Sequence, residues 1–482
     1  MGKLRQKAEV KRMKLSGNIE QDKQQMHKLL QVEKSFDLIE RPLLFGGKKS
    51  YLYFVDGFIK DEVMQRILQA FFEITPEDMK DVKSAQEFME AKLSYVEVTT
   101  EQHVELLATN VLSGPSVLLI DGFDTAIIID IRTYPVRGIE EPEKEKVLRG
   151  SRDGFVETIV FNTALIRRRI RDPHLTFEMF SVGARSKTDV AIGYISDFAE
   201  PELVEELKKR IQELRVKALD MGEESLAECI IRGKWLNPFP KVRYTERPDV
   251  ASASLLDGKI IVMVDNSPSV MVLPTTLFDF VQEPDDYYYP PLVGGYLRFV
   301  RNAIFLSTLI LTPLWLLLIQ NSAALPSWLS FIQVSDPVNV PILLQLLILE
   351  VATDGLKLAS LNTPSALSNS LSIIGALLLG DFAVEVGWFV PQTILYMAYV
   401  AIAGFAQPSV ELNYAVKFMR IILLLLTAWL GVWGFAGGLL LIACIVSMNK
   451  TIAGKGYLYP LIPFNWKEFK VRVLRMKIRS KL

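Results

Sequence analysis

One stretch of 148 residues, 302–449, carries nine charged side chains: Asp336, Glu350, Asp354, Lys357, Asp381, Glu385, Glu411, Lys417 and Arg420. The other 334 residues carry 100. A water-soluble domain of that size spreads charge over about a quarter of its positions, so this segregation assigns part of the chain to lipid. The 482 residues leave room for two to four domains at about 100–200 residues each.

A bilayer crossing takes about 20 apolar residues. Four runs are candidates: 303–319, 358–380, 386–410 and 421–449, with Pro313 and Pro391 interrupting the first and third. At about 1.5 Å per residue the last would reach about 43 Å, more than a ~30 Å hydrocarbon core, and is expected to tilt or protrude. Arg298 and Arg301 precede the first run; Lys450, Lys455 and the basic stretch from Lys467 to Lys481 follow the last. The positive-inside rule then puts both ends in the cytoplasm, and four crossings satisfy that parity. The segment 338–352 is shorter, follows Pro337 and ends in charges, which fits a re-entrant or interfacial helix.

Outside the membrane part, charge is asymmetric: residues 1–301 sum to −6 and residues from 450 onward to +8. An acidic front is the wrong sign for a nucleic-acid partner. Cys229 and Cys444 form no CxxC pattern, as suits a reducing compartment. No apolar run follows the basic first residues, so no signal peptide is expected and 1–301 should stay in the cytoplasm. The tail from Trp466 alternates apolar residues with cations and is expected on the inner leaflet, with membrane lipid as its partner.

The front reads as α/β and duplicated. Tyr51–Val55 is a strand followed by an amphipathic helix over Asp61–Phe72, and Asp121-Gly122 joins two apolar runs as a hairpin. A shift of 140 places Tyr51–Ile67 over Ala191–Leu207, with Phe58 over Phe198; a shift of 144 places Gly114–Ile129 over Gly258–Leu273, with Asp121 over Asp265. The expected organisation is an N-terminal arm (1–49) with a helix near 18–30 and a first α/β subdomain (50–142). A helical connector (143–174) and a related second subdomain (175–290) follow, then an all-α multi-pass membrane domain (291–450) and a basic amphipathic tail (451–482).

Signatures of catalysis are missing. His27, His103 and His174 have no metal-ligand spacing, and Gly46-Gly-Lys-Lys-Ser50 fails as a phosphate loop because Pro42 stands where its first glycine belongs. No catalytic residue, metal or cofactor is assigned. Acids in apolar sequence are more telling, since a charge at bilayer depth costs about 2.5–3.5 kcal/mol on insertion scales and usually faces a bundle interior or water. Glu350, Asp354 and Lys357 share one helical face, and Asp381 and Glu385 are four apart. Repeated around a ring, such acids would line a cation path; alternatively Asp354 pairs locally with Lys357, and Asp381 and Glu385 mark a span boundary. Arg167, Arg168, Arg169 and Arg171 close the connector helix, either as an anion or headgroup site or as salt bridges between subunits or domains.

Several segments resemble the A-subunit family of GerA-type spore germination proteins. They include Asp153-Gly-Phe-Val-Glu157, Asn162-Thr-Ala-Leu-Ile-Arg167, Thr245-Glu-Arg-Pro-Asp249, Ser267-Pro268, Asp285-Asp-Tyr287 and, in the membrane part, Glu350, Gly375 and Ala383-Val-Glu385. The resemblance covers about residues 50–465. Gly380-Asp381 stands where nutrient-receptor A subunits usually have Gly-Gln, which sets the chain beside a sporulation branch of the family.

The resemblance implies a protein of the spore inner membrane. It also implies a homo-oligomeric ring, a pentamer among its candidate sizes, that works with other spore membrane germination proteins. The expected function is a subunit of an ion channel that releases monovalent cations during germination. A nutrient-receptor A subunit with B and C partners and a non-conducting scaffold are the alternatives.

Overall fold

A computed structural model describes residues 13–134, 150–231, 237–283, 285–334, 338–362 and 383–473. The chain divides into two compact units, the first ending at Pro274 and the second made of the described residues from Thr275 onward together with Gly150 and 237–241.

The first unit is a duplicated α/β structure. Its first half runs α1 (Ile19–Leu30), β1 (Leu38–Phe45), β2 (Lys48–Val55), α2 (Asp61–Phe72), α3 (Ala85–Lys92), β3 (Val98–Glu101), α4 (Val104–Ser113), β4 (Ser116–Ile120) and β5 (Ala126–Ile129). The second half repeats the order as α5 (Ile159–Arg169), β6 (Leu175–Val182), β7 (Thr188–Ile195), α6 (Pro201–Gln212), α7 (Gly222–Ile230), β8 (Arg243–Thr245), α8 (Pro248–Leu256), β9 (Ile260–Val264) and β10 (Val270–Leu273). The sheets are ordered β1-β2-β4-β5-β3 and β6-β7-β9-β10-β8, the same permutation. Every neighbouring pair is antiparallel.

The sequence registers carry over: β2 and α2 match β7 and α6 at a shift of 140, and β4 and β5 match β9 and β10 at 144. One local device recurs as well. The hairpin aspartate of each half accepts a hydrogen bond from the first amide of that half's first helix, Ile19 N to Asp121 Oδ1 at 3.4 Å and Ile159 N to Asp265 Oδ1 at 3.1 Å. A carboxylate there meets unsatisfied amides and the positive end of the helix dipole.

The expected arm over 1–49 is in part folded core. Asn18 caps α1, and Met26 and Leu30 are buried with Leu38, Tyr53 and Leu119. Strand β1 escaped sequence reading because Glu40, Arg41 and Pro42 break its alternation; it is an edge strand, where such residues are tolerated. The connector helix is likewise α5, the counterpart of α1. The second subdomain, expected to reach 290, ends at Pro274.

The second unit is helical: α9 (Asp285–Tyr288), α10 (Pro291–Gln320), α11 (Ile342–Asn362), α12 (Pro391–Phe405), α13 (Val410–Met448) and α14 (Trp466–Val473). Among the described residues, α10 and α13 are long and apolar enough to cross a membrane. The second of these does not run straight. Gly431 has φ +58° and ψ −131°, a backbone conformation closed to other residues, and a Cβ on Gly438 would lie 2.6 Å from Leu423 Cδ1. A straight helix would hold residues 423 and 438 about 22 Å apart, so 410–430 and 432–448 are two arms of a hairpin. The expected single crossing over 421–449 is corrected accordingly: no overlong span needs to tilt.

One further expectation changes. The segment 338–352 is no separate short helix, because α11 continues through its charged residues to Asn362. The run 358–380 falls mostly outside the described residues. At the start of α10, Arg298 and Arg301 do not lie free as flanking cations: both donate to the buried Asp286, and Arg301 also sits 3.7 Å from Glu283. The tail helix α14 docks on protein, with Phe469 edge-on to Phe278 and Arg472 paired to Asp279.

Candidate functional site

The helical unit buries a network of opposite charges. On α11, Glu350 and Asp354 lie one turn apart; on α13, Lys417 and Arg420 are three apart and face them. Arg420 grips Glu350 with both edges of its fork, Nε to Oε1 at 2.6 Å and Nη2 to Oε2 at 2.9 Å, and both side chains are buried. Its remaining Nη1 donates to the carbonyl of Thr308 on α10 at 2.9 Å. Pro313 lies just beyond, where its missing N–H leaves the helical ladder open at Leu309. One guanidinium thus ties three helices together.

Lys417 Nζ donates to Asp354 Oδ2 at 2.5 Å and to the Glu350 carbonyl at 2.7 Å, and lies 3.4 Å from Glu350 Oε2. Lys357 sits over the rings of Phe405 and Tyr414, 5.1 and 5.6 Å from their centroids. Glu350, Asp354, Lys357, Asn413, Lys417 and Arg420 line a cavity of about 20 Å³, room for one water molecule. Asp354 Oδ1 is buried and accepts no hydrogen bond, leaving it a carboxylate oxygen for such a water.

The acids singled out from sequence therefore divide. Glu350 and Asp354 come together with Lys357 at one cavity, but each is matched by a cation of α13, so neither is a bare carboxylate. The local Asp354–Lys357 pair is replaced by Asp354–Lys417. Lys417 and Arg420 were missed as partners, although charges in otherwise apolar helices are themselves the signal, since buried charges seek opposite ones. Glu385 is exposed in a single helical turn, Ala383–Glu385. Asp381 lies outside the described residues.

The arginine group resolves in another way. Arg167 is fully buried in the first unit: Nε and Nη2 donate to both oxygens of Asp37 at 2.8 and 3.0 Å, and Nη2 also reaches Ser35 Oγ and the Leu175 carbonyl. It joins the two halves of that unit, the domain salt bridge among the readings open from sequence, and is inaccessible to an anion or another subunit. Arg168 is exposed and stacks over Tyr134 at 4.4 Å, Arg169 pairs with Asp153 at 2.7 Å, and Arg171 is exposed. The pairing holds the Asp153 carboxyl below its ordinary range: burial pushes it upward, and the bonds from Ser151 and Arg169 outweigh that. Among the described residues, no group of His, Cys, Asp and Glu is arranged to hold a metal ion.

A duplicated α/β unit followed by apolar helices with an internal charge network defines a membrane-associated protein. The family model described as "Bacillus/Clostridium GerA spore germination protein" matches residues 24–482, and the chain belongs to that family. It is 40% identical over 438 residues to stage V sporulation protein AF of Bacillus subtilis (strain 168), covering 90% of this chain and 87% of that one. It is 30% identical over 439 residues to the uncharacterized membrane protein YfkQ of the same organism, covering 90% and 84%. Among solved structures, the N-terminal domain of the A subunit of the Bacillus megaterium spore germinant receptor GerK3 aligns with 54% of this chain and 96% of its own, at 23% identity and a TM-score of 0.42.

Proposed function

We propose that this chain is the membrane subunit of an oligomeric ion channel that acts in spore germination, residing in the spore inner membrane and releasing monovalent cations. The single observation behind the reading is the Glu350–Arg420–Lys417–Asp354 network. Four charges in a membrane unit carry a desolvation cost of several kcal/mol each before pairing, and intramembrane charges of this kind mark ion paths and the elements that gate them. Because the acids are paired inside one protomer, their role in this reading is gating. They hold α10, α11 and α13 in register, and rearrangement of the pairs opens a path along the assembly.

In this reading the chain crosses the bilayer an even number of times, with α10 and both arms of α13 among the crossings, so that the α/β unit and the tail share the core side. The protein is not an enzyme. Its partners are further copies of itself, membrane lipid and other germination proteins. Spores in which the chain carries Lys417→Met should release potassium with altered timing after a germination stimulus, at unchanged protein level. Release indistinguishable from that of wild-type and null spores alike would sink the reading. A nutrient-receptor A subunit would instead respond to one nutrient alone, and a non-conducting scaffold would leave ion release intact once its clients were supplied separately.

A further inference from the structure

Phe58 and Phe198 occupy the same place in the two halves of the first unit, after β2 and after β7 at the shift of 140. Their surroundings differ. Phe58 is fully buried, with the ring of Tyr134 edge-on at 5.1 Å. A Cβ on the adjacent Gly57 would touch Ala164 Cβ and Val160 Cγ1, each at 3.2 Å, and both belong to α5. The first helix of the second half thus closes the end of the first half. The second half has no third half after it. Phe198 is 55% exposed and Leu256 53%, whereas Leu112, the counterpart of Leu256 at the shift of 144, is 1% exposed.

We propose that this open end, formed by Asp197, Phe198 and Leu256, is the docking surface for α1 of a second copy of this chain. The occupant follows from the duplication. The helix that closes the equivalent end within the chain is α5, and α5 is the counterpart of α1. The residues of α1 that match Val160, Ala164 and Arg168 are Glu20, Gln24 and Lys28, and all three are exposed. Stacked repeats reuse one neighbour interface. A head-to-tail contact of this kind joins different surfaces on the two partners, and so builds a ring or a filament rather than a two-fold dimer. Asp197 replaces Gly57 and would face Glu20, a like-charge pair, so the contact strengthens as salt screens it.

The inference rests on the oligomeric reading above and is tested separately from it. The full-length chain carries Cys229→Ser and Cys444→Ser with Gln24→Cys and Asp197→Cys, the positions equivalent to Ala164 and Gly57, whose spacing is close to the Cβ separation of about 3.5–4.5 Å that a disulfide needs. Oxidation in membranes with copper phenanthroline should give a ladder of linked copies, absent from either single cysteine and from a control pair of Gln24→Cys with Val96→Cys. Adding the surface change Leu256→Asp should reduce the ladder about tenfold, as loss of a buried leucine contact predicts. Oligomers on native electrophoresis with no ladder above the control would overturn this interface and leave the assembly reading standing. A monomer in every condition would overturn both.

Discussion

Arg420 and Glu350 form a two-pronged ion pair inside the helical unit, with donor–acceptor distances of 2.6 and 2.9 Å and both side chains buried. Removing one member of such a pair strands the other charge and costs about 3–5 kcal/mol, while replacing both with apolar residues is often nearly neutral. Glu350→Leu alone should therefore lower the thermal midpoint of the detergent-solubilised protein sharply, and Glu350→Leu with Arg420→Leu should recover most of the loss. Native stability in the single variant would show that the pair is no clamp.

The α13 hairpin makes a geometric prediction. Spin labels placed near residues 423 and 438 should report a separation under about 15 Å, whereas an unbroken helix would give about 22 Å. Gly431→Ala should destabilise by about 1–3 kcal/mol, because an alanine is strained at this positive φ.

In the first unit, Arg167 and Asp37 are both fully buried and joined through two hydrogen bonds. Arg167→Met should cost about 3–5 kcal/mol by stranding Asp37. High salt should not reproduce the loss, since a buried pair is poorly screened. Chemical denaturation of the full chain, followed by hydrogen exchange of peptides from this unit, checks both statements.

Acid stability has a defined source in Glu40. Burial raises its carboxyl, but bonds from Lys23, His27 and Tyr53 outweigh burial and leave it below the ordinary glutamate range. A carboxylate with a depressed folded value contributes stability above its unfolded pKa of about 4.3 and loses it as pH falls through the lower folded value. Glu40→Gln should lower stability by a pH-independent amount near neutrality and flatten the decline below about pH 4.5, so that the gap to the wild-type protein narrows as pH falls. An unchanged acid limb in a pH series of denaturation midpoints would rule Glu40 out as its source.

What could be read from sequence depended on whether a signal was local. The registers at 140 and 144 are local patterns repeated, and β2, α2, β4 and β5 fell on their counterparts. Strand β1 was hidden because an edge strand with Glu40, Arg41 and Pro42 shows no alternation. Gly431 was hidden for the opposite reason: the surroundings are uniformly apolar, and a helical hairpin has the same composition as a straight helix. Glu350 and Asp354 stood out as acids in grease, but their partners lie 63 to 70 residues further along the chain. Only packing of α11 on α13 brings Lys417 and Arg420 to them.

The proposal of conduction is tested most directly by purified full-length protein reconstituted in potassium-loaded vesicles, with efflux followed by a potassium-sensitive dye. The account predicts efflux that rises with protein density and is altered by Lys417→Met in protein of unchanged oligomeric state. Vesicles that stay tight at every density, with intact oligomers confirmed in the same membranes, would contradict it.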